Sequence, residues 1–404
     1  MKHSREFDVI VWGASGFTGR LVAQYLAEQY GIDDTVRWAI AGRNIGKLGE
    51  IAEKIGAGGV RLISGDANDP VSLGEMARRT KIIITTVGPY QKYGEALVAA
   101  CAAAGTDYVD LAGEPPFIRK MIDTYGEQAA ASGARIVPSC GFDSIPFDLG
   151  VHYVQRLASE KFGAPAPYVK GRVLAAKGGA SGGTVASILT LLERGDDPFV
   201  RNVMRDVYSL APDDNASRPR QPNPNRVFYD KDAGKWVTPF IMAAINMRNV
   251  HRSNMVKGYP YGENFKYCEM MAAPNAPAAF AITAGLGGFT GALALPPTRA
   301  ALKKFFLPKP GEGPGAQQRE AGFYKLLFIA KNDDGESVKA IVKGDRDPGY
   351  GSTSKLIAES ALCLAFDVGR DEAPGGVSTS ASAMGDKLID RLHNKAGLTF
   401  APAS

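Results

Sequence analysis

Gly13-Ala14-Ser15-Gly16-Phe17-Thr18-Gly19 decides the reading of this chain. An apolar strand pattern, Phe7-Asp8-Val9-Ile10-Val11-Trp12, runs into it. A helix pattern runs out of it, with Leu21, Val22, Tyr25 and Leu26 on one face. Strand, glycine turn and helix in that order are the context of a dinucleotide-binding fingerprint. Glycines permit the tight turn and let the backbone approach a pyrophosphate. The helix N-terminus then offers that anion unpaired N–H groups and the positive end of its dipole. The spacing is GxxGxxG, the variant of extended reductases. A plain structural turn is the competing account, and the buried strand directly before the glycines weighs against it. Every residue of the stretch is therefore a candidate cofactor contact.

Outward from it, strand patterns recur at residues 36–41, 60–64, 81–87, 107–111 and 135–137. Helical stretches at 47–55, 71–79, 95–104 and 117–131 separate them. Repeated βαβ steps imply an α/β fold, a Rossmann-type doubly wound parallel sheet, over residues 1–145. Continuous apolar runs such as Ile82-Ile83-Ile84 suit a sheet covered on both faces.

Ligands of such sheets bind beyond the carboxyl ends of the strands. The second strand ends in Ala41-Gly42-Arg43-Asn44, with Lys47 one helical turn on. An NAD enzyme would carry an acid there for the ribose 2′-OH. Arg43 instead suits a 2′-phosphate, with Asn44 beside it and Lys47 adding a second charge. Cations at a helix start oppose the dipole, which argues against a merely solvated pair. The expected cofactor is NADP(H). Asp66-Ala67 follows the third strand, as an adenine contact or as a turn before Asp69-Pro70. Val87-Gly88-Pro89 follows the fourth and is placed at the nicotinamide ribose.

Bulk properties bound the rest. The 404 residues are 45% hydrophobic and 22% charged, enough for two or three globular domains. A net charge of +5, dispersed along the chain, favours an anionic small molecule or lipid surface over nucleic acid. Cys101, Cys140, Cys268 and Cys363 form no CxxC pair, and the histidines have no ligand spacing. No metal and a reducing compartment are expected. The polar opening MKHSREFDV gives no sign of a signal peptide, so the expected location is the cytoplasm. No tyrosine has a lysine four residues later, which excludes the Tyr-xxx-Lys acid of short-chain reductases.

A second domain is expected over residues 146–345, with residues 346–404 returning to the first. Ser181-Gly182-Gly183-Thr184 is a second glycine turn before a helix, either a wall of the substrate pocket or a flexible turn. Residues 325–331 and 337–343 form a hairpin across Asn332-Asp333-Asp334-Gly335. With residues 265–271 they suggest an antiparallel sheet, which by fold analogy would offer the face of a homodimer. Residues 270–298 carry no charge, and Arg299, Lys303 and Lys304 follow. This segment reads as a buried helix pair or as a peripheral membrane contact; the expectation taken is a lipid-facing surface, not a full span.

Five motifs in order, VWGASGFTGRLV, AGRNIGKL, TTVGPYQKYG, DYVDLAGE and CGFDSIPFDLG, resemble the saccharopine dehydrogenase-like oxidoreductases. Among these the chain is most similar to the bacterial trans-acting enoyl reductases. The likeness continues through FLPKPGEGP, GDRDPGYGSTSKLIAESAL and SAMGDKLIDRLHNKAGLTF. The resemblance implies NADPH-dependent reduction of a carbon–carbon double bond in a polyketide or lipid intermediate. Tyr90 and Asp143, on loops at the crevice, become candidates for proton donor or carbonyl contact, and Cys140 for the nicotinamide face. Alternatives are an opine-type dehydrogenase reducing an imine and a non-catalytic NADP-binding scaffold at a lipid surface. The first would need clustered cations, and Arg172, Arg248 and Arg252 are scattered in sequence.

Overall fold

A computed structural model describes residues 5–32, 34–178, 182–212, 218–305 and 313–403. Ser181 lies outside them, and for Thr184, Lys303 and Lys304 only the backbone is described.

The first sheet is built from β1 (Phe7–Trp12), β2 (Trp38–Gly42), β3 (Arg61–Ser64), β4 (Thr80–Thr85), β5 (Asp107–Val109) and β6 (Arg135–Val137). The connecting helices are α1 (Phe17–Tyr30), α2 (Ile45–Lys54), α3 (Pro70–Arg79), α4 (Tyr90–Tyr93), α5 (Glu95–Ala104) and α6 (Pro115–Ser132). After α7 (Ile145–Phe162) the chain leaves this sheet.

The second sheet comprises β7 (Tyr168–Lys177), β8 (Phe228–Asp230), β9 (Lys235–Thr238), β10 (Lys266–Ala273), β11 (Phe323–Lys331), β12 (Ser337–Gly344) and β14 (Leu398–Ala403). Before these last strands come α8 (Gly182–Glu193), α9 (Pro198–Arg205), α10 (Ala243–Val256), α11 (Ala276–Ala294), α12 (Pro296–Phe305) and α13 (Ala316–Glu320). Near the C-terminus α14 (Thr353–Leu362), β13 (Gly376–Val377) and α15 (Ser380–Arg391) follow. The C-terminal segment divides between the sheets: β13 pairs with β6 in the first and β14 with β12 in the second.

The first sheet has the order β13-β6-β5-β4-β1-β2-β3, and every pairing is parallel. Side chains alternate along a strand, so β1 sends Val9 and Val11 into one core and Ile10 and Trp12 into the other. Both faces are dry, which is why the strands read as unbroken apolar runs. The order reverses between β1 and β4, and a crevice opens at that switch point.

The second sheet has the expected antiparallel pairing at five of its six seams and is mixed at the sixth. The order is β14-β12-β11-β7-β10-β9-β8, and β10 runs parallel to β7. A parallel pair requires a crossover connection. Here α8, α9, the β8–β9 hairpin and α10 intervene between the two strands. The predicted hairpin is present as β11 and β12, with Gly335 at φ 85° in its turn.

Buried polar bonds join the C-terminal segment to the first domain. Tyr25 and Tyr30 of α1 donate to the buried carboxylate of Glu359 on α14, which also holds Arg391.

Candidate functional site

A cavity of about 710 Å³ opens at the switch point. On one wall lie the ends of β1 to β4: Gly13, Ser15, Gly16, Phe17 and Thr18, then Arg43, then Asp66 and Ala67, then Val87, Gly88 and Pro89. The opposite wall is α8 with Gly182, Gly183, Ser187, Leu191 and their neighbours, Met204 of α9, and the start of α10. The sequence separated these groups widely, and the fold brings them to one space.

The glycine turn is shaped by close approach. Gly13 has φ 86°, and a Cβ there would lie 2.5 Å from Val87 Cγ2. A Cβ on Gly19 would collide with the Gly13 carbonyl oxygen and lie 2.8 Å from Thr86 Oγ1. Both glycines thus let α1 start hard against the ends of β1 and β4. Gly16 at the N-cap offers no side-chain cap, and the first turn holds no acid. Its N–H groups are open to an anion. Ala14 is buried beneath the turn and shapes it without lining the cavity.

Arg43 is exposed at the cavity, and among the described residues it has no ion-pair partner. Asn44 and Lys47 do not line the space. The Asn44 side chain accepts the Lys47 N–H at 3.0 Å and caps α2. Asp66 serves both readings: it borders the cavity and accepts the Asn68 N–H at 2.9 Å in a turn. The Gly88–Pro89 peptide is cis.

Two proposed catalytic groups are corrected. The Tyr90 hydroxyl donates to the Thr85 carbonyl and accepts the Leu111 N–H, both at 3.1 Å. Burial holds its phenol well above the ordinary pKa. Its ring borders the cavity, but its proton belongs to the backbone. Cys140 is fully buried behind the wall and its Sγ donates to the Val137 carbonyl at 3.3 Å. It reaches no part of the cavity, and burial pushes its thiol far up. Asp143 does line the cavity, while the N-cap of α7 is its neighbour Ser144.

Several groups at the site were quoted in motifs without a role. Glu114 is wholly buried and accepts the N–H groups of Tyr90 and Gln91 at 3.0 and 2.9 Å. It thereby caps α4 and fixes the Val87–Pro89 wall. Ser187 of α8 donates to the same carboxylate at 2.7 Å, tying the two walls together. Tyr350, in the turn Pro348–Ser352, packs edge-on against Phe17 with ring centroids 4.7 Å apart, and its oxygen takes the Gly182 N–H at 2.9 Å. The spaced glycines of GDRDPGYGST were the only signal for it.

Behind Asp143 runs a buried polar chain. Ser144 donates to Asn246 Oδ1 at 3.2 Å and accepts from Asn249 at 3.0 Å. Asn246 donates to Glu269 at 2.7 Å, as does Tyr267 at 2.8 Å. Burial pushes Glu269 up to about 8, and the charge of Asp143 adds to that. Asp110, held by the N–H groups of Ala112 and Ser139 and by the Tyr108 hydroxyl, is raised to about 6 by burial.

The buried arginines are occupied elsewhere. Arg172 pairs with Asp230 at 2.8 Å. Arg248 donates to the Val203 and Met204 carbonyls at the end of α9, and Arg252 to those of Leu210 and Val377. Among the described lining residues Arg43 is the one cation.

Comparisons with known proteins agree with this geometry. Residues 9–137 match the saccharopine dehydrogenase NADP binding domain. A trans-acting enoyl reductase of Mycobacterium ulcerans is 40% identical over 407 residues, covering 96% of each chain. One from Mycobacterium tuberculosis H37Rv is 39% identical over the same length and coverage. Among solved structures, apo saccharopine dehydrogenase (L-Glu forming) from Saccharomyces cerevisiae superposes with a TM-score of 0.54 at 12% identity, covering 98% of this chain and 100% of that one. That likeness concerns the fold.

Proposed function

The chain belongs to the trans-acting enoyl reductase family and is an NADP-dependent oxidoreductase, and from that premise we propose that it reduces the carbon–carbon double bond of an α,β-unsaturated acyl thioester. One observation carries the reading: the cavity joins the glycine cradle to an apolar arm. Ile188, Leu191 and Leu192 of α8, with Met204, Ile241 and Ile245, line that arm. An acyl chain fits such a wall. A dicarboxylate amino acid would need cations there, and none of the described lining residues of the arm supplies one. The opine-type alternative therefore finds no support.

The residues present fit an NADP(H) cofactor. The uncapped N-terminus of α1 would take the pyrophosphate, Arg43 the 2′-phosphate, Asp66 and Ala67 the adenine, and Val87–Pro89 the nicotinamide ribose. When bound there, such a cofactor would supply the hydride for the β-carbon. The protein orients the two reactants and excludes water from the apolar arm. The N-terminus of α8, where Gly182 and Gly183 line the cavity, would steady charge growing on the thioester oxygen through its dipole, the Gly182 N–H itself being held by Tyr350. Asp143 delivers the proton to the α-carbon, itself or through a water, with Ser144 held beside it by Asn246 and Asn249.

The test is turnover of an enoyl thioester with NADPH deuterated at its reactive carbon. Deuterium is expected at the β-carbon of a saturated product. Deuterium on a carbinol carbon, or cofactor binding without turnover, would overturn the reading.

A further inference from the structure

We infer that α11 and α12 seat this protein on an anionic bilayer surface, with the cavity beside the seat. α11 is an apolar helix that the fold leaves largely in the open. Only Ala279 and Leu293 are buried along Ala276–Ala294. Phe280 and Leu295 are 59% and 58% exposed. At 100° per residue, Phe280, Ala284, Gly287, Gly288, Gly291 and Leu295 fall within one arc of the helix. A helix of uncharged residues facing water is not an ordinary surface helix.

The glycines sharpen the point. A Cβ on Gly285, Gly287, Gly288 or Gly291 would meet nothing within 4 Å. Packing among the described residues gives no reason for them, although each weakens a water-exposed helix relative to alanine.

Charge selects the occupant. Between Glu269 and Glu312 the sequence has no acidic residue, while Arg299, Lys303, Lys304 and Lys309 are all basic. The first three of these cations belong to α12, which packs on α11. Apolar surface beside a stretch of sequence whose only charges are cations complements anionic headgroups over acyl chains. A second copy of the chain is a poorer occupant. A two-fold pairing on α11 would bring two wholly cationic stretches together.

A full span is excluded by the helix's own bonds. Thr283 and the buried Thr238 of β9 are hydrogen bonded at 2.6 Å, and Ala279 and Leu293 are packed inward. The helix therefore lies along the surface of the second sheet. Its inner side reaches the site: Thr290 borders the cavity, and Leu293 packs with Leu189 of α8, whose other face lines the apolar arm. A long acyl chain held in a bilayer would meet the arm at this helix. That purpose rests on the acyl-substrate reading, whereas the seat itself is tested without substrate.

The test is flotation of the full chain with vesicles of phosphatidylcholine alone or mixed with phosphatidylglycerol, at low and high salt. Binding to the mixed vesicles at low salt and release at high salt are expected. Phe280→Asp with Leu295→Asp should abolish binding. Arg299→Glu with Lys303→Glu and Lys304→Glu should lower partition by at least about a hundredfold, at about fivefold per cation lost. All variants should keep wild-type NADPH affinity, which reports the folded cofactor domain. A wild-type protein that stays soluble with every vesicle overturns the inference. So does equal binding to neutral vesicles that survives the charge reversal. A mass that halves on Phe280→Asp, with no vesicle binding, would assign the face to a second copy. Turnover of a short soluble enoyl thioester is scored separately, so loss of the seat leaves the reductase reading standing.

Discussion

On one wall of the cavity the ligand-facing groups are largely backbone: the turn at Gly13–Gly19, the end of β2, and the Val87–Pro89 loop. On the other they are side chains carried by α8, α9 and α10, from stretches far apart in sequence. The first wall is anchored on a sheet buried on both faces and can hold its shape without a ligand. The second is tied to it through side chains, among them Ser187 to Glu114, Tyr350 to Gly182, and Asn246 and Asn249 to Ser144. A rigid wall suits an invariant cofactor, and a wall of helices suits a variable chain.

Glycines offer the widest contrast between tight and open regions. Gly19→Val places branched bulk against the Gly13 carbonyl and Thr86, so α1 must move off the sheet end. NADPH affinity should fall by more than about a hundredfold, the scale of losing the charge-assisted pyrophosphate bonds together. Gly285→Ala, where a Cβ meets nothing, should leave affinity unchanged and raise stability by up to about 1 kcal/mol. Fluorescence titration and thermal melts check both. Equal loss of affinity in the two variants would break the contrast.

How much of this was legible follows from the same difference. The first wall was readable because each backbone constraint leaves a local mark: glycine spacing, Gly-Pro, and an arginine where an acid would stand. The parallel sheet was readable for the same reason, since each βαβ step closes locally. Tyr90 and Cys140 were misjudged because position on a crevice loop does not reveal where a side chain points. The Tyr90 hydroxyl turns inward to Thr85 and Leu111, and Cys140 lies behind the sheet end. Glu114, Tyr350 and Glu269 were missed because their roles are long-range. Ser187 meets Glu114, and Tyr350 meets Phe17, only after the second domain folds back. The parallel pairing of β10 with β7 was hidden too, since no strand pattern announces the direction of its partner.

A second contrast separates the group that faces the cavity from the one that does not. Asp143→Asn should lower kcat by about 10²–10⁴, the usual contribution of a general acid, with the melting temperature nearly unchanged. Tyr90→Phe should leave kcat within a few-fold. It strips partners from the Thr85 carbonyl and the Leu111 N–H, and should cost about 1–3 kcal/mol of stability by urea titration. The reverse pattern would restore Tyr90 as the proton donor.

Within the rigid wall, Arg43→Ala tests the 2′-phosphate. NADPH binding should weaken by roughly 1.5–3 kcal/mol, the value of a charged hydrogen bond, while NADH binding holds. Equal losses for both cofactors would place Arg43 away from the phosphate.

The last contrast lies behind the second wall, at Glu269. The folded protein holds this carboxyl at about 8, above its ordinary range, because burial disfavours the charge. In the unfolded chain it ionises near 4.5. Between those values the native state binds a proton that the unfolded state has lost. Stability from this group is therefore complete below about pH 4.5, declines as pH rises, and is gone above about 8. The full slope would be about 1.4 kcal/mol per pH unit, reduced by whatever relaxation hydrates the site. Glu269→Gln is neutral throughout and keeps an oxygen for Asn246 and an amide for Tyr267. Its melting temperature should fall less than the wild type's between pH 5 and 8, so that the two curves converge at low pH and separate at high pH. Parallel curves would show Glu269 ionised in the folded state, and the chain behind Ser144 would then carry a buried negative charge.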